Sequence, residues 1–477
     1  MSEIKKEIMK LIKSRLSSSS FILLPNLYRS QNDLLKIIWL TLSIISASVC
    51  GWLMSRSIMD YYNYDVVTKT EVKYETYFKF PMITICNLNP FTTEYSNEFI
   101  RSYLNTSNPD FENGFFMSYS IFKHIEKNLT DPYLFGRRID ELIIDCSYGS
   151  IKCDLKEDFQ HYYDLRLGNC YRFNSGKNMN GEKVEQKYAN ALSNQLNFQL
   201  WIGSAQTNNN MFSVNNGFII FISDSENSFS NSVLISPGYT TKISLEKLTI
   251  IKKPKPYSNC VNNLNSVDSY DSLIYKKLIV DSQKYNYHSC NLMCFQRYLG
   301  DICKCQLDYI NLTYFNDMRF CYSNRSLNEQ DIKCVNETAT YFLNDNQMHL
   351  KSCDCPIECE YNFYRCENSI SEFPSRKYLS YLLKSNLIKS MFNNSLNDSL
   401  ETFKFIRENV ANIFIMFPYS MQTYITEYAK TQPTDLVSSV GGILGLFLGL
   451  SFLSFIEIFD LAIQIINVFF KQLNKKS

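Results

Sequence analysis

The chain is poor in histidine, tryptophan, proline and glycine, and it has almost no net charge. Its 477 residues include 4 His, 3 Trp, 12 Pro and 15 Gly, with Lys+Arg 48 balanced by Asp+Glu 47. That balance says nothing about acidic or basic partners, and no nucleic acid is expected as one. The four histidines, His124, His161, His288 and His349, form no ligand-like pair, which argues against reading the cysteines as zinc ligands. There is no P-loop, Rossmann glycine fingerprint, metalloprotease helix or nucleophile elbow. The expectation is therefore a protein with no metal, no cofactor and no enzymatic site.

What the chain does have is cysteine (16), aromatic residues (15%) and two long apolar runs. The first run, residues 34–54, reads "LLKIIWLTLSIISASVCGWLM" and carries one charge, Lys36, whose long side chain can snorkel to an interface. It is long enough to cross the ~30 Å hydrocarbon core as a helix. The second run, residues 436–470, is longer than one straight crossing requires. A mostly polar stretch, residues 1–33, precedes the first run and argues against a signal peptide.

Lys5, Lys6, Lys10, Lys13, Arg15 and Arg29 precede the first span, and Lys471, Lys475 and Lys476 follow the second. Positive flanks place both termini in the cytoplasm and residues 55–435 outside the cell. The layout expected is a cytoplasmic tail (1–33), a first span (34–54), an outer Cys-rich domain (55–435), a second span (436–470) and a short inner tail (471–477). Every cysteine except Cys50 lies between Cys86 and Cys366, as an oxidising compartment favours. The glycosylation sequons at Asn105, Asn128, Asn311, Asn324, Asn336, Asn393 and Asn397 fall in the same region.

The outer region reads as mixed α and β. "FPMITIC" (80–86) and "GFIIFISD" (217–224) have the β-branched and aromatic content of strands, and 236–253 suggests two more alternating segments after a Pro-Gly turn. "SLIYKKLIV" and "SEFPSRKYLSYLLKS" have helical patterns, whereas the Asn/Gln-rich stretch 176–216 reads as loop. CxxxC at Cys290 and Cys294 puts two thiols on one helix face. CxC, as at Cys303/Cys305 and Cys353/Cys355, puts both on one side of a strand. Spacing favours a ladder of bridges and leaves the connectivity open.

The second apolar run contains "GGILGLFLGLSFLSFIEIFD" (441–460), with four glycines and two carboxylates. Gly441, Gly445 and Gly449 are four apart and form one smooth stripe, which close helix–helix packing would also use. Glu457 and Asp460, three apart, share a helix face; carboxylates at this depth usually face a water-filled cavity, and an interfacial anchoring pair is the alternative.

These segments together resemble the degenerin/epithelial sodium channel family, whose members include acid-sensing and peptide-gated channels. The resemblance rests on "FPMITICNLNPF" (80–91), "GNCYRFNSG" (168–176), "SPGYTTKI", "PYSNC" (256–260), the CxxxC…CxC…CxCxxxC series and the glycine run, all in family order. It implies a membrane α+β fold: two spans per subunit, a large disulfide-rich outer domain of palm, thumb and finger type, and assembly as a homo- or heterotrimer in the plasma membrane. It implies seven bridges, Cys86–Cys170, Cys146–Cys153, Cys260–Cys359, Cys290–Cys355, Cys294–Cys353, Cys303–Cys334 and Cys305–Cys321, leaving out Cys50 and Cys366.

The same resemblance makes Gly449, Leu450 and Ser451 a selectivity filter where the second span is interrupted, with Na⁺ as the permeant ion. Glu457 and Asp460 become acidic rings at the inner mouth, Ser438 the position that must stay small for closure, and Tyr64 with Tyr257 the aromatic pair coupling outer domain to spans. Three departures stand out. Leu450 occupies a usually small position, Ser439 replaces an outer-mouth Asp of acid-sensing relatives, and Ile22-Leu23 replaces His-Gly. The opening stimulus, whether ligand, proton or mechanical load, is not written in these residues. A non-conducting or auxiliary two-pass receptor or adhesion subunit is the rival reading.

Overall fold

Alternating side chains build the sheets, and the strand Tyr239–Ile251 is the spine of the larger one. Residues 32–96, 98, 102, 132–164, 167–190, 195–203, 215–224, 231–282, 285–307, 314–315, 317–321, 329–344, 353–385, 388–389 and 400–473 are described in the computed structural model. Along one edge of the spine runs Glu360–Glu372, antiparallel in unbroken register from Tyr239↔Glu372 to Ile251↔Glu360. The other edge is shared by Val410–Met416 and Met421–Ala429, both parallel to it, paired at residues 240–244 and 247–251. The two short segments expected over 236–253 are thus one 13-residue strand, which holds no Gly, Pro, Asn or Asp to turn the chain.

Beyond Val410–Met416 the sheet continues through Gln195–Trp201, Ile143–Tyr148 and Ile151–Lys152. Here the reading of 176–216 as loop is corrected. Leu196, Phe198 and Leu200 alternate inward with no exposure at all, and Gln195–Trp201 pairs antiparallel on both sides. Burial of one apolar face outweighs the polar composition of the segment.

A second sheet, all antiparallel, is ordered Asn231–Ile235, Phe218–Ser223, Met82–Asn87, Gly168–Phe173, Phe159–Asp164. The inner faces of both sheets contribute to one core, in which Phe80, Phe159, Phe173, Phe198, Phe218 and Phe417 are fully buried. Edge-to-face contacts such as Phe80–Phe417, 5.9 Å between centroids at 83°, order this aromatic interior. Gly217 opens the Phe218 strand at φ +137°, and a Cβ there would collide with the Ile235 carbonyl oxygen.

A helical module follows, made of Leu273–Ser282, Tyr287–Cys303 and Glu329–Asn344. Asn286 caps the middle helix by accepting from the Ser289 N–H, and Lys304 ends it in a left-handed conformation. Seven disulfides are formed: Cys86–Cys170, Cys146–Cys153, Cys260–Cys359, Cys290–Cys355, Cys294–Cys353, Cys303–Cys334 and Cys305–Cys321. Two rungs leave one helix face, from Cys290 and Cys294. Their partners Cys353 and Cys355 are not on a strand, as their spacing suggested; Asp354 between them is left-handed at φ +43°.

The described residues divide into two compact bodies. Lys69–Thr426 holds the sheets and disulfides. Met1–Thr68 with Glu427–Ser477 holds three helices: Asp33–Tyr62, Pro433–Leu448 and Phe452–Leu473. The first of these runs eight residues past the span expected at 34–54. Among the described residues it is the one helix long and apolar enough to cross a membrane by itself, while Pro433–Leu448 is apolar but shorter.

Candidate functional site

The second apolar run is two helices because its sequence ends one and starts another within three residues. Pro433 sits in the first turn of Pro433–Leu448, where its missing N–H costs nothing, and Gln432 and Asp435 form a capping box. The helix stops at Gly449, whose φ of +67° is a left-handed value that glycine adopts freely. There the Gly449 N–H donates to the Gly445 carbonyl at 3.1 Å and Leu450 N–H to the Leu444 carbonyl at 3.2 Å. Phe452–Leu473 begins at once. The Ser451 N–H donates to Ser454 Oγ at 3.1 Å, the Ser454 N–H donates to the Ser451 carbonyl at 2.9 Å, and Ser454 is fully buried.

The break leaves the carbonyls of residues 446–448 without a helical N–H one turn further on. In hydrocarbon such groups need protein or water, so irregular backbone here belongs beside one or the other. Ser451 is exposed and Leu450 half-buried within this chain. Among the described residues, nothing lies within 4 Å of where a Cβ would stand on Gly441 or Gly442, and one on Gly445 would meet the Leu450 carbonyl at 3.6 Å. The glycine stripe is thus not filled by this chain's first helix.

Glu457 and Asp460 are exposed on Phe452–Leu473, and Asp460 Oδ2 accepts from Gln464 Nε2 at 2.9 Å. Ser438 is exposed near the start of Pro433–Leu448; its neighbour Ser439 accepts from Ser57 Oγ of the first helix at 3.2 Å. At the head of the same helical body, Lys430 Nζ and Asp65 Oδ2 pair at 3.0 Å, which holds the ammonium above its ordinary range. Tyr64 follows the first helix at φ +52°, its ring 6.1 and 6.2 Å from those of Tyr61 and Tyr62. Tyr257 belongs to the other body, where Lys253 Nζ lies 4.6 Å from its ring centroid.

Neither Cys50 nor Cys366 is in a disulfide. Cys50 is buried on the first helix, 3.8 Å from the Met54 sulfur, and burial pushes the Cys366 thiol up from its ordinary pKa. Asn336 is exposed on Glu329–Asn344; Asn105, Asn128, Asn311, Asn324, Asn393, Asn397 and Ile22-Leu23 lie outside the described residues. Among the described residues no cluster of His, Cys, Asp or Glu is placed to hold a metal ion. Ser46, Ser57 and Ser454 escaped the sequence reading. Only Ser454 carried a signal there, as the third residue after Ser451 in a helix-start pattern.

The described residues thus combine one helix long and apolar enough to cross a membrane, a second apolar segment with a capped break, and a disulfide-bonded β-rich body. The chain belongs to the amiloride-sensitive sodium channel family, whose sequence model matches residues 16–461. That is a family of ion channels and not of enzymes. A bile acid-sensitive ion channel of Mus musculus is 26% identical over 479 residues, covering 93% of this chain and 85% of the relative. Acid-sensing ion channel 1 of Gallus gallus is 23% identical, covering 91% and 80%. An FMRFamide-activated amiloride-sensitive sodium channel of Cornu aspersum is 21% identical, covering 94% and 82%.

Proposed function

We propose that the chain is one subunit of a trimeric, sodium-selective cation channel of the plasma membrane. Both termini are cytoplasmic, and residues 55–435 form an outer domain of palm, thumb and finger type. The observation that carries this reading is the capped break at residues 449–451 between two apolar helices. A span that only anchors gains nothing from ending a helix in hydrocarbon. A span that lines water can turn the freed carbonyls toward a partly dehydrated cation. A non-conducting receptor or adhesion subunit, the rival, needs neither this break nor two intramembrane acids.

In this reading Gly449, Leu450 and Ser451 form the constriction and three copies bring their carbonyls and hydroxyls together. Glu457 and Asp460, on one exposed helix face, become two acidic rings that concentrate cations and exclude anions. Ser438 stays small so that the outer pore can close, and Tyr64 with Tyr257 couples the outer domain to the spans. Partners are further copies or related subunits, and no cofactor is needed. Relatives are named for bile acid, acid and FMRFamide, so the stimulus is assigned to the outer domain as a class: a ligand, protons or mechanical load.

Voltage-clamp of cells expressing the full chain tests conduction, with a panel of acid pH, amidated peptides, amphipathic acids and stretch as stimuli. Inward current that disappears when external Na⁺ is replaced by a large organic cation is the expected result. Current indifferent to that replacement rejects sodium selectivity.

A further inference from the structure

Four hydroxyl side chains lie in the middle of the first span, and three of them turn back on their own helix. Thr41 Oγ1 donates to the Ile38 carbonyl at 2.9 Å, Ser43 Oγ to Trp39 at 2.6 Å and Ser48 Oγ to Ile44 at 2.8 Å. This is the ordinary way a helix in apolar surroundings satisfies a hydroxyl. Ser46 does otherwise. Its Oγ donates to the carbonyl of Phe447, on the other apolar segment, at 2.5 Å.

The acceptor is one of the carbonyls that the break at Gly449 frees, and it lies two residues before the constriction. A serine could have bonded within its own helix at no cost, yet here it reaches the one turn that has lost its helical donors. We propose that Ser46 is a positioning residue for the ion path. By holding the Phe447 carbonyl against the first span, it fixes the direction in which the backbone leaves Leu448 and therefore where the neighbouring carbonyls and Gly449 are presented. Ser46 itself is half-buried between the helices and touches no ion. The second inter-helix hydroxyl contact, Ser57 to Ser439 at 3.2 Å, lies toward the start of Pro433–Leu448 and makes no contact with freed carbonyls. The proposal rests on the reading of 449–451 as the constriction.

Two measurements on the full-length chain separate the proposal from that reading. The first is hydrogen–deuterium exchange of the purified protein in lipid nanodiscs. Ser46→Ala is expected to speed exchange of the Gly449 and Leu450 amides about threefold, the factor matching the ~0.6 kcal/mol average of an interhelical hydrogen bond in a membrane. Ser46→Thr should restore the parent rate and Ser48→Ala should leave it alone. Equal rates in Ser46→Ala and parent, or the same rise in Ser48→Ala, overturn the tether. Should Ser46→Ala fail to fold, Ser46→Cys, a weaker donor of similar size, gives the same reading.

The second measurement is the Na⁺/K⁺ permeability ratio at constant surface amount, with a bulky residue at Ser438 to hold current on. A ratio at least halved in Ser46→Ala and regained in Ser46→Thr supports positioning. Faster exchange with an unchanged ratio reduces Ser46 to a structural contact and overturns the proposal. A parent that passes no current under any stimulus defeats the proposed function, and the exchange rates still decide whether Ser46 holds the break.

Discussion

At the scale of single residues, the assignments differ in what a substitution should do. Ser438 is exposed on Pro433–Leu448, so a bulky side chain there disturbs no packing within the chain. If the position must be small for three copies to close, Ser438→Phe should give standing Na⁺ current without any stimulus; a silent but surface-expressed variant counts against the role. Asp331 is of another kind. Its carboxylate takes a two-pronged bond from Arg319, Nη1 to Oδ2 at 2.7 Å and Nη2 to Oδ1 at 2.9 Å. The guanidinium holds the carboxyl below its ordinary pKa. A depressed carboxylate contributes stability that is whole above the ordinary value near 3.9 and is lost as pH falls through the lower, folded value. Protection of Glu329–Asn344 against hydrogen exchange should therefore weaken on acidification below about pH 4, and that weakening should vanish in Asp331→Asn.

At the scale of elements, backbone geometry decides. Gly217→Ala must place a Cβ against the Ile235 carbonyl at φ +137°, which is strained for any other residue. The change should cost roughly 1–3 kcal/mol. It should appear as a lower melting temperature of the purified protein and less of it at the cell surface; an unchanged melting temperature speaks against the strain. The helix Phe452–Leu473 sets Glu457 and Asp460 three apart, so Glu457→Gln with Asp460→Asn removes both charges from one face. Unitary Na⁺ conductance should fall, and more than for either change alone; no fall would demote both to anchoring.

Much of this was legible in the sequence where one physical signal dominated. The first apolar run announced itself by length and apolarity, and the helix continues past it through residues 55–62, where Arg56 and Asp60 interrupt the apolar sequence. The cysteine spacings pointed to a ladder, while the pairing of the rungs came from the family resemblance. The strand Gln195–Trp201 was hidden because Gln195, Asn197 and Gln199 alternate with its apolar residues, although Leu196, Phe198 and Leu200 keep the period of two. Ser46 could not have been found. A serine in an apolar helix normally bonds four residues back, and only the fold places it opposite Phe447.

At the scale of the whole molecule, the described residues form a disulfide-bonded, β-rich body and an apolar helical body whose second segment is broken. In the proposed trimer, further copies would meet along the glycine face, where among the described residues nothing lies within 4 Å of a Cβ on Gly441 or Gly442. The claim on which everything else depends is that the broken span borders water. Single cysteine replacements from 449 to 460, probed with water-soluble thiol reagents from each side during current recording, test it most directly. Block from the outside down to 449–451, block from the inside at 457 and 460, and silence at positions on the opposite helix face are the expected results. Uniform silence at every position, on both sides, in channels that still reach the surface would contradict it.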